Sequence, residues 1–296
     1  MKTPLISTAA LLAVTLIAGC GGSGMGTTPS AATSISGKVA DGYLAGATVF
    51  LDKNNNYQLD AGEPSATTDA QGAYTLNIAA GDLGRYPIVA MAIKNQTIDS
   101  DTNQPVADSY LLCMPAAAVS GTVNSNFISP MSTLIREKMA ANPGMTLTAA
   151  MVQLRNQMNL AAGTDMMADY VAGSRSGMNA AQYQAMHAAA RQMAGVMAGQ
   201  APLVMTGTGA NQTRYRGMMG MINSNMPAIA LNAMNGLGMN STFMTGMTSQ
   251  LQAQLGAMPM SGGFANYSGM FRNMTSHNYF WGPAGTPMTP MTGGMM

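Results

Sequence analysis

The densest run of oxygen-bearing side chains in this 296-residue sequence is Asp52-Lys53-Asn54-Asn55-Asn56-Tyr57-Gln58-Leu59-Asp60-Ala61-Gly62-Glu63. Counted as a twelve-residue loop, it puts Asp52, Asn54, Asn56, Asp60 and Glu63 at positions 1, 3, 5, 9 and 12. The backbone carbonyl of Gln58 falls at position 7. A hard cation such as Ca2+ takes about six to eight oxygens, and this is the ligand spacing that supplies them from one tight loop. Leu59 fits the apolar anchor expected at position 8. Tyr57 stands at position 6, where a sharp turn usually needs glycine. The flanks read as strands, and Pro64 follows, so a helix–loop–helix is excluded. Two readings stand: a structural calcium loop, or an Asn/Asp-rich connection that turns the chain by hydrogen-bonding its own backbone.

Sulfur offers a second chemistry. Of the 32 methionines, 27 lie beyond residue 138, against 8 Leu, 4 Val and 2 Ile there. Methionine can replace leucine as an adaptable core residue, because it forms helix well and fills irregular gaps. Met186, Met193 and Met197 fall on one helical stripe and fit that role. Thioethers also bind soft Cu(I) or Ag(I). Met218, Met219 and Met221 are close in sequence, as are Met288 with Met291 and Met295 with Met296. A third role is an oxidant sink, through reversible sulfoxides.

Residues suited to catalysis are sparse. The chain has two histidines. His187 lies in a helical pattern four residues from Tyr183 and from Arg191, and reads as a satisfied or exposed helix residue. His277 sits in the tail. No nucleophile elbow, phosphate loop, dinucleotide fingerprint or His-Glu-x-x-His is present. Asp165 and Asp169 are the only acids after Glu137, and sit where a helix start favours them. These absences argue against an enzyme. A net charge of +1 gives no electrostatic case for nucleic acid.

Composition divides the elements that must carry these groups. Only 8% of residues are charged, against about 25% in ordinary domains. Between residues 34 and 112 four bases face nine acids, a net charge of −5; from 139 to 296 six Arg face two Asp, a net charge of +4. Short β-branched or alternating runs at 34–40, 46–51, 73–78 and 87–93, separated by Asp-Gly, Asn-rich and Gln-Gly turns, predict an acidic antiparallel β-sandwich over 34–115. Helical periodicity predicts helices over 131–141, behind a Ser129-Pro130 cap, and over 148–160, 179–199 and 241–255. They form a Met-rich helical domain over 116–258. The fold class is therefore β then α, in two domains. From 259 to 296 the chain is rich in Pro, Gly, Thr and Met and reads as a tail that is disordered, or that orders only on a partner. No apolar run spans a membrane. The charge-poor stretch between Arg216 and Arg272 needs cover from the rest of the chain, an envelope partner or a membrane surface.

Residues 1–19 read as a secretory signal: Lys2, an apolar run from Leu5 to Ile17, then small residues. Ile17-Ala18-Gly19-Cys20 resembles the bacterial lipobox. That likeness implies cleavage before Cys20 and its lipidation, with 20–33 as a flexible tether. Gly21 after the cysteine implies an outer-membrane lipoprotein, periplasmic or surface-exposed. Cys113 is then left alone, without an intrachain disulfide partner, and reads as a small buried hydrophobe.

A further resemblance rests on Ile35-Ser36-Gly37-Lys38-Val39, Gly46 to Leu51, the acidic loop with Gly62-Glu63-Pro64, and Thr68 to Leu76. The series is similar to carboxypeptidase-regulatory-like domains and surface-protein B-type repeats. It implies a prealbumin- or immunoglobulin-like fold, a non-enzymatic role, often at a surface, and in B-type repeats calcium. It transfers no catalytic residue. The expectation is an envelope structural or interaction module, with a Cu(I)/Ag(I)-binding protein as the alternative and an oxidant sink behind it.

Overall fold

A computed structural model describes residues 32–121 and 126–258. The expected signal and lipidation site at Cys20 lie outside these residues, as do Met288, Met291, Met295 and Met296 of the tail.

The chain begins with strands, as its alternation predicts. β1 (Ala32–Val39) pairs antiparallel with β5 (Ala73–Ala79), Ile35 opposite Leu76. On β5 the apolar Tyr74, Leu76 and Ile78 are buried while Thr75 and Asn77 between them are exposed, which is the period-two signature of a half-covered strand. A four-stranded antiparallel sheet has the order β4 (Ser65–Thr67), β3 (Thr48–Leu51), β6 (Ile88–Ala92), β9 (Tyr110–Met114). A small third sheet joins β2 (Leu44–Ala45), β7 (Ile98–Asp99) and β8 (Gln104–Pro105). β10 (Asn126–Ile128) returns to pair parallel with the far side of β1, Lys38 opposite Phe127.

Every residue of β6 and β9 is buried. A strand covered on both faces reads as a continuous apolar run rather than an alternating one. The second cover is helical, since α1 (Pro130–Ala141) and α4 (Ala180–Gly199) lie against β9. Ser129 caps α1 in a reciprocal box with Ser132, and Pro130 occupies its first position, the start its sequence announces. The first turn of α1 is sewn to β9: Ser132 Oγ donates to the Cys113 carbonyl at 2.7 Å, and Cys113 N–H donates to Thr133 Oγ1 at 2.8 Å.

Helices then continue as α2 (Leu147–Gln157), the single-turn α3 (Tyr170–Gly173), α4, the short α5 (Ala201–Val204), α6 (Gln212–Ser224), α7 (Met226–Met234) and α8 (Thr242–Ala257). No helix among the described residues is long and apolar enough to cross a membrane.

The jump in composition near residue 138 does not mark a gap in packing. One apolar cluster runs from Ile35 in β1 through Leu111 in β9 to Leu255 in α8. Twelve of the twenty methionines between 139 and 258 are buried in it, so methionine fills the place leucine usually takes.

Candidate metal loop and its helical seat

The connection from β3 to β4 is the oxygen-rich loop, and its side chains bond inward. Asp52 is fully buried and accepts from the backbone N–H of Asn56 and of Tyr57, both at 3.0 Å. Burial raises its pKa above the usual carboxylate value, against those backbone bonds. The amides of Asn54 and Asn56 both donate to Asp60 Oδ2, each at 2.7 Å. Glu63 closes the loop, accepting from Lys53 N–H at 2.6 Å and from Asp60 N–H at 3.0 Å. Gln58 points elsewhere, its Oε1 accepting from Thr208 Oγ1 at 3.4 Å.

The backbone takes the turn that position 6 demands. Tyr57 has φ +65° and Asn55 φ +63°, a left-handed conformation costly for a bulky residue. What holds Tyr57 there is its side chain, which is completely buried. Its hydroxyl donates to Glu137 (Oε1 at 2.8 Å, Oε2 at 3.0 Å) and accepts from Arg216 Nε at 2.8 Å. The Arg136 guanidinium lies 4.0 Å from its ring centroid, and the Tyr215 ring packs at 4.8 Å. Arg136 also bonds to Glu137 and to Asn55 Oδ1. Glu137 thus meets two arginines and a phenol in a site closed to water, where such bonds are strong and a missing partner is costly.

The segment before α6 completes the seat. Gln58 forms an antiparallel bridge with Gly209, Ala210 N–H donates to the Tyr57 carbonyl at 3.0 Å, and Leu59 N–H donates to the Thr208 carbonyl at 2.9 Å. A Cβ on Gly209 would stand 2.0 Å from the Tyr57 carbonyl oxygen, so only glycine permits this approach. Gln212 Nε2 reaches the Asn55 carbonyl at 2.9 Å.

Asp52, Asn54, Asn56, Asp60 and Glu63 are therefore gathered in one loop. They form an oxygen donor set of the kind Ca2+ takes. Among the described residues no three acidic, histidine or cysteine side chains converge as metal ligands; here Asp52, Asp60 and Glu63 each hold the loop's own N–H groups. The donor chemistry fits a calcium loop, and the bonding performs the turn on its own.

The soft-metal candidates Met218, Met219 and Met221 lie in α6, all buried in the common core. Cys113 is buried, with its Sγ 3.6 Å from the Tyr215 hydroxyl, and burial pushes its thiol up to about 12.

Sequence reading missed the seat itself. Arg136-Glu137-Lys138 looks like a solvated end of a helix, yet all three are buried. The signal was available in their position: three adjacent charges inside the first helix after a β-region, followed by a half with hardly any acids. Lys138 has no hydrogen-bond partner for its Nζ, and burial lowers its pKa to about 7.

Compared with protein-family models, curated proteins and solved structures, the chain matches none.

Proposed function

We propose that the chain is a non-enzymatic cell-envelope lipoprotein, anchored through Cys20, whose β-sandwich-like region and Met-rich helices form one structural or interaction module. The observation that carries this reading is the buried junction of Tyr57, Arg136, Glu137 and Arg216. It spends the chain's best-placed charged groups on clamping a loop to helices. Glu137, Arg136 and Arg216 saturate one another there, as befits a scaffold.

Calcium has a place in this reading as a clamp on the same loop. Asp52, Asn54, Asn56, Asp60, Glu63 and the Gln58 carbonyl would hold it, and its charge would offset the three carboxylates. Burial of Met218, Met219 and Met221 supports methionine as core material. The soft-metal alternative then rests on Met288, Met291, Met295 and Met296.

Two measurements on the full chain test the proposal. Metabolic labelling with a fatty acid should mark the wild type and not Cys20→Ala; an unlabelled wild type removes the anchor from the reading. Thermal unfolding should shift upward with millimolar Ca2+, and Asp60→Ala should abolish the shift. A wild type indifferent to Ca2+ leaves the loop as a turn held by its own hydrogen bonds. Tail substitutions of methionine by leucine that remove tight Cu(I) binding would favour the soft-metal alternative instead.

A further inference from the structure

A second meeting place of strands and helices has the opposite character. The turn between β1 and β2, the β7–β8 hairpin and α4 bring Asp41, Asp99 and Asp101 into one corner beside a cleft of about 690 Å³. That volume lies in the range of small-molecule sites, roughly 300–1,000 Å³. Gly42 permits the gathering: a Cβ there would stand 2.3 Å from Asp99 Oδ1 and 2.7 Å from Asp101 Cγ.

The three carboxyls are not equally satisfied. Asp101 is the engaged one, with His187 Nε2 at 2.7 Å and the Arg191 guanidinium Nε at 3.3 Å, both on Oδ2. Asp99 accepts from Asp101 N–H at 2.9 Å and from Thr102 Oγ1 at 3.4 Å. Asp41 is 7% exposed and receives one bond, from the Tyr110 hydroxyl to Oδ2 at 3.0 Å; its Oδ1 has no hydrogen-bond partner. Among the described residues no cation lies within ion-pair distance of Asp41 or Asp99. Burial, with Asp99 adding to it, raises Asp41 to about 8. A buried acceptor without a donor is costly, and Asp41 lines the cleft.

Apart from Arg191, which Asp101 engages, and a few polar side chains, the rest of the lining is apolar and small. Ala188, Gly195 and Ala198 follow one face of α4, Ala233 comes from α7, and Val106 and Met239 flank them. Small residues on a helix face leave room beside it that larger ones would fill. Gln192, at the same face, is engaged: its Nε2 donates to the Leu237 carbonyl at 2.6 Å, and its Oε1 accepts from Asn232 at 2.9 Å. It holds the α7–α8 connection as a wall. The cleft thus presents the carboxyl oxygens of Asp41 and Asp99 at one end and alkyl surface along its length.

We propose that this cleft binds a small organic cation, an alkyl- or arylammonium ion whose N–H groups bond to Asp41 and Asp99 while its apolar body lies along α4. A carboxylate ligand would meet like charge. A divalent metal takes several converging oxygens at once, and Asp101 is already engaged by His187 and Arg191. An ammonium group supplies what the carboxyls of Asp41 and Asp99 lack, a cationic partner.

Titration calorimetry of the full chain at about pH 8.5, where Asp41 with its pKa of about 8 is mostly ionised, with benzylammonium, benzyl alcohol and benzoate separates charge from shape. Benzylammonium should bind saturably, at least about tenfold tighter than benzyl alcohol, with benzoate weakest. Asp41→Asn, which keeps an acceptor for Tyr110, should weaken benzylammonium about tenfold or more. Ala107→Trp, at an exposed position of the lining, should block the cleft with every carboxyl intact. Equal binding of the alcohol, no saturable binding of the ammonium ion, or benzylammonium affinity unchanged by Ala107→Trp would each overturn the proposal. Should Asp41→Asn not fold, Ala107→Trp alone decides.

Discussion

The loop seat around Tyr57 and the cleft beside Asp41 are both places where acidic β-region loops meet charge-poor helices. In the seat, Glu137 is matched by Arg136, Arg216 and a phenol, and large rings fill the volume. In the cleft, Asp41 meets a single hydroxyl and the adjoining helix face is trimmed to alanine and glycine. A chain with so few charges has placed its scarce arginines unevenly. Where two arginines and a phenol meet one carboxylate, the surface closed; where Arg191 is taken up by Asp101, a cavity remained with Asp41 and Asp99 outside any ion pair. Neutralisation and filling go together, as expected when a buried charge must be paired or left open to something that pairs it.

The sharpest way to break this contrast is to unmatch the seat. Glu137→Ala strands two arginines beside Tyr57 and should cost about 3–5 kcal/mol, read from denaturant unfolding of the full chain. A loss below about 1 kcal/mol would mean that the seat contributes no more than a surface pair.

Lys138 sharpens the comparison from the other side, being a buried charge that the seat does not match. Its folded pKa of about 7 lies below the ordinary 10.5. The unfolded chain therefore binds more protons between pH 7 and 10.5, and this lysine's contribution to stability rises with pH across that window. Lys138→Met should stabilise the protein by about 2–4 kcal/mol at pH 7, with the gain shrinking toward pH 10. A pH-independent difference between the two chains would contradict the assignment.

Asp41 gives the reverse slope. Its folded pKa of about 8 exceeds 3.8, so the folded state holds the extra proton between pH 4 and 8 and stability falls as pH rises through that window. Asp41→Asn should flatten the slope and add about 1–3 kcal/mol at pH 8 while nearly neutral at pH 4, in melting curves taken across pH. It would thus stabilise the fold and weaken ammonium binding together. Smallest of all, Met219→Leu in α6 should change stability by less than about 1.5 kcal/mol. A much larger loss would show that this thioether does more than fill volume.

Much of the fold was legible because periodicity is local. The predicted helices at 131–141, 179–199 and 241–255 correspond to α1, α4 and α8, and the four predicted strands correspond to β1, β3, β5 and β6. β9 was missed because Tyr110–Met114 has neither alternation nor a β-branched residue to read, whereas the equally buried β6 carries Ile88 and Val89. β10 was missed because its pairing with β1 joins residues about ninety apart in sequence. The loop's donor residues were legible from spacing alone. Its seat was not, since Tyr57 meets Glu137, Gly209 and Arg216 only through the tertiary fold. Of the two readings of His187, satisfied or exposed, the bond to Asp101 fits the first, but nothing near it in sequence names that partner.

The bridge between Gln58 and Gly209 also has a consequence in time. A chain emerging from its N-terminus must keep the acidic loop waiting while some 150 further residues appear. Closing so long a stretch is entropically expensive and slow compared with forming local helices. Until then Tyr57 is an exposed ring on an unanchored loop, open to proteases and to association with other chains. The loop seat is thus expected to close only once α6 has appeared, and a nascent chain halted before residue 209 should be degraded rather than stored.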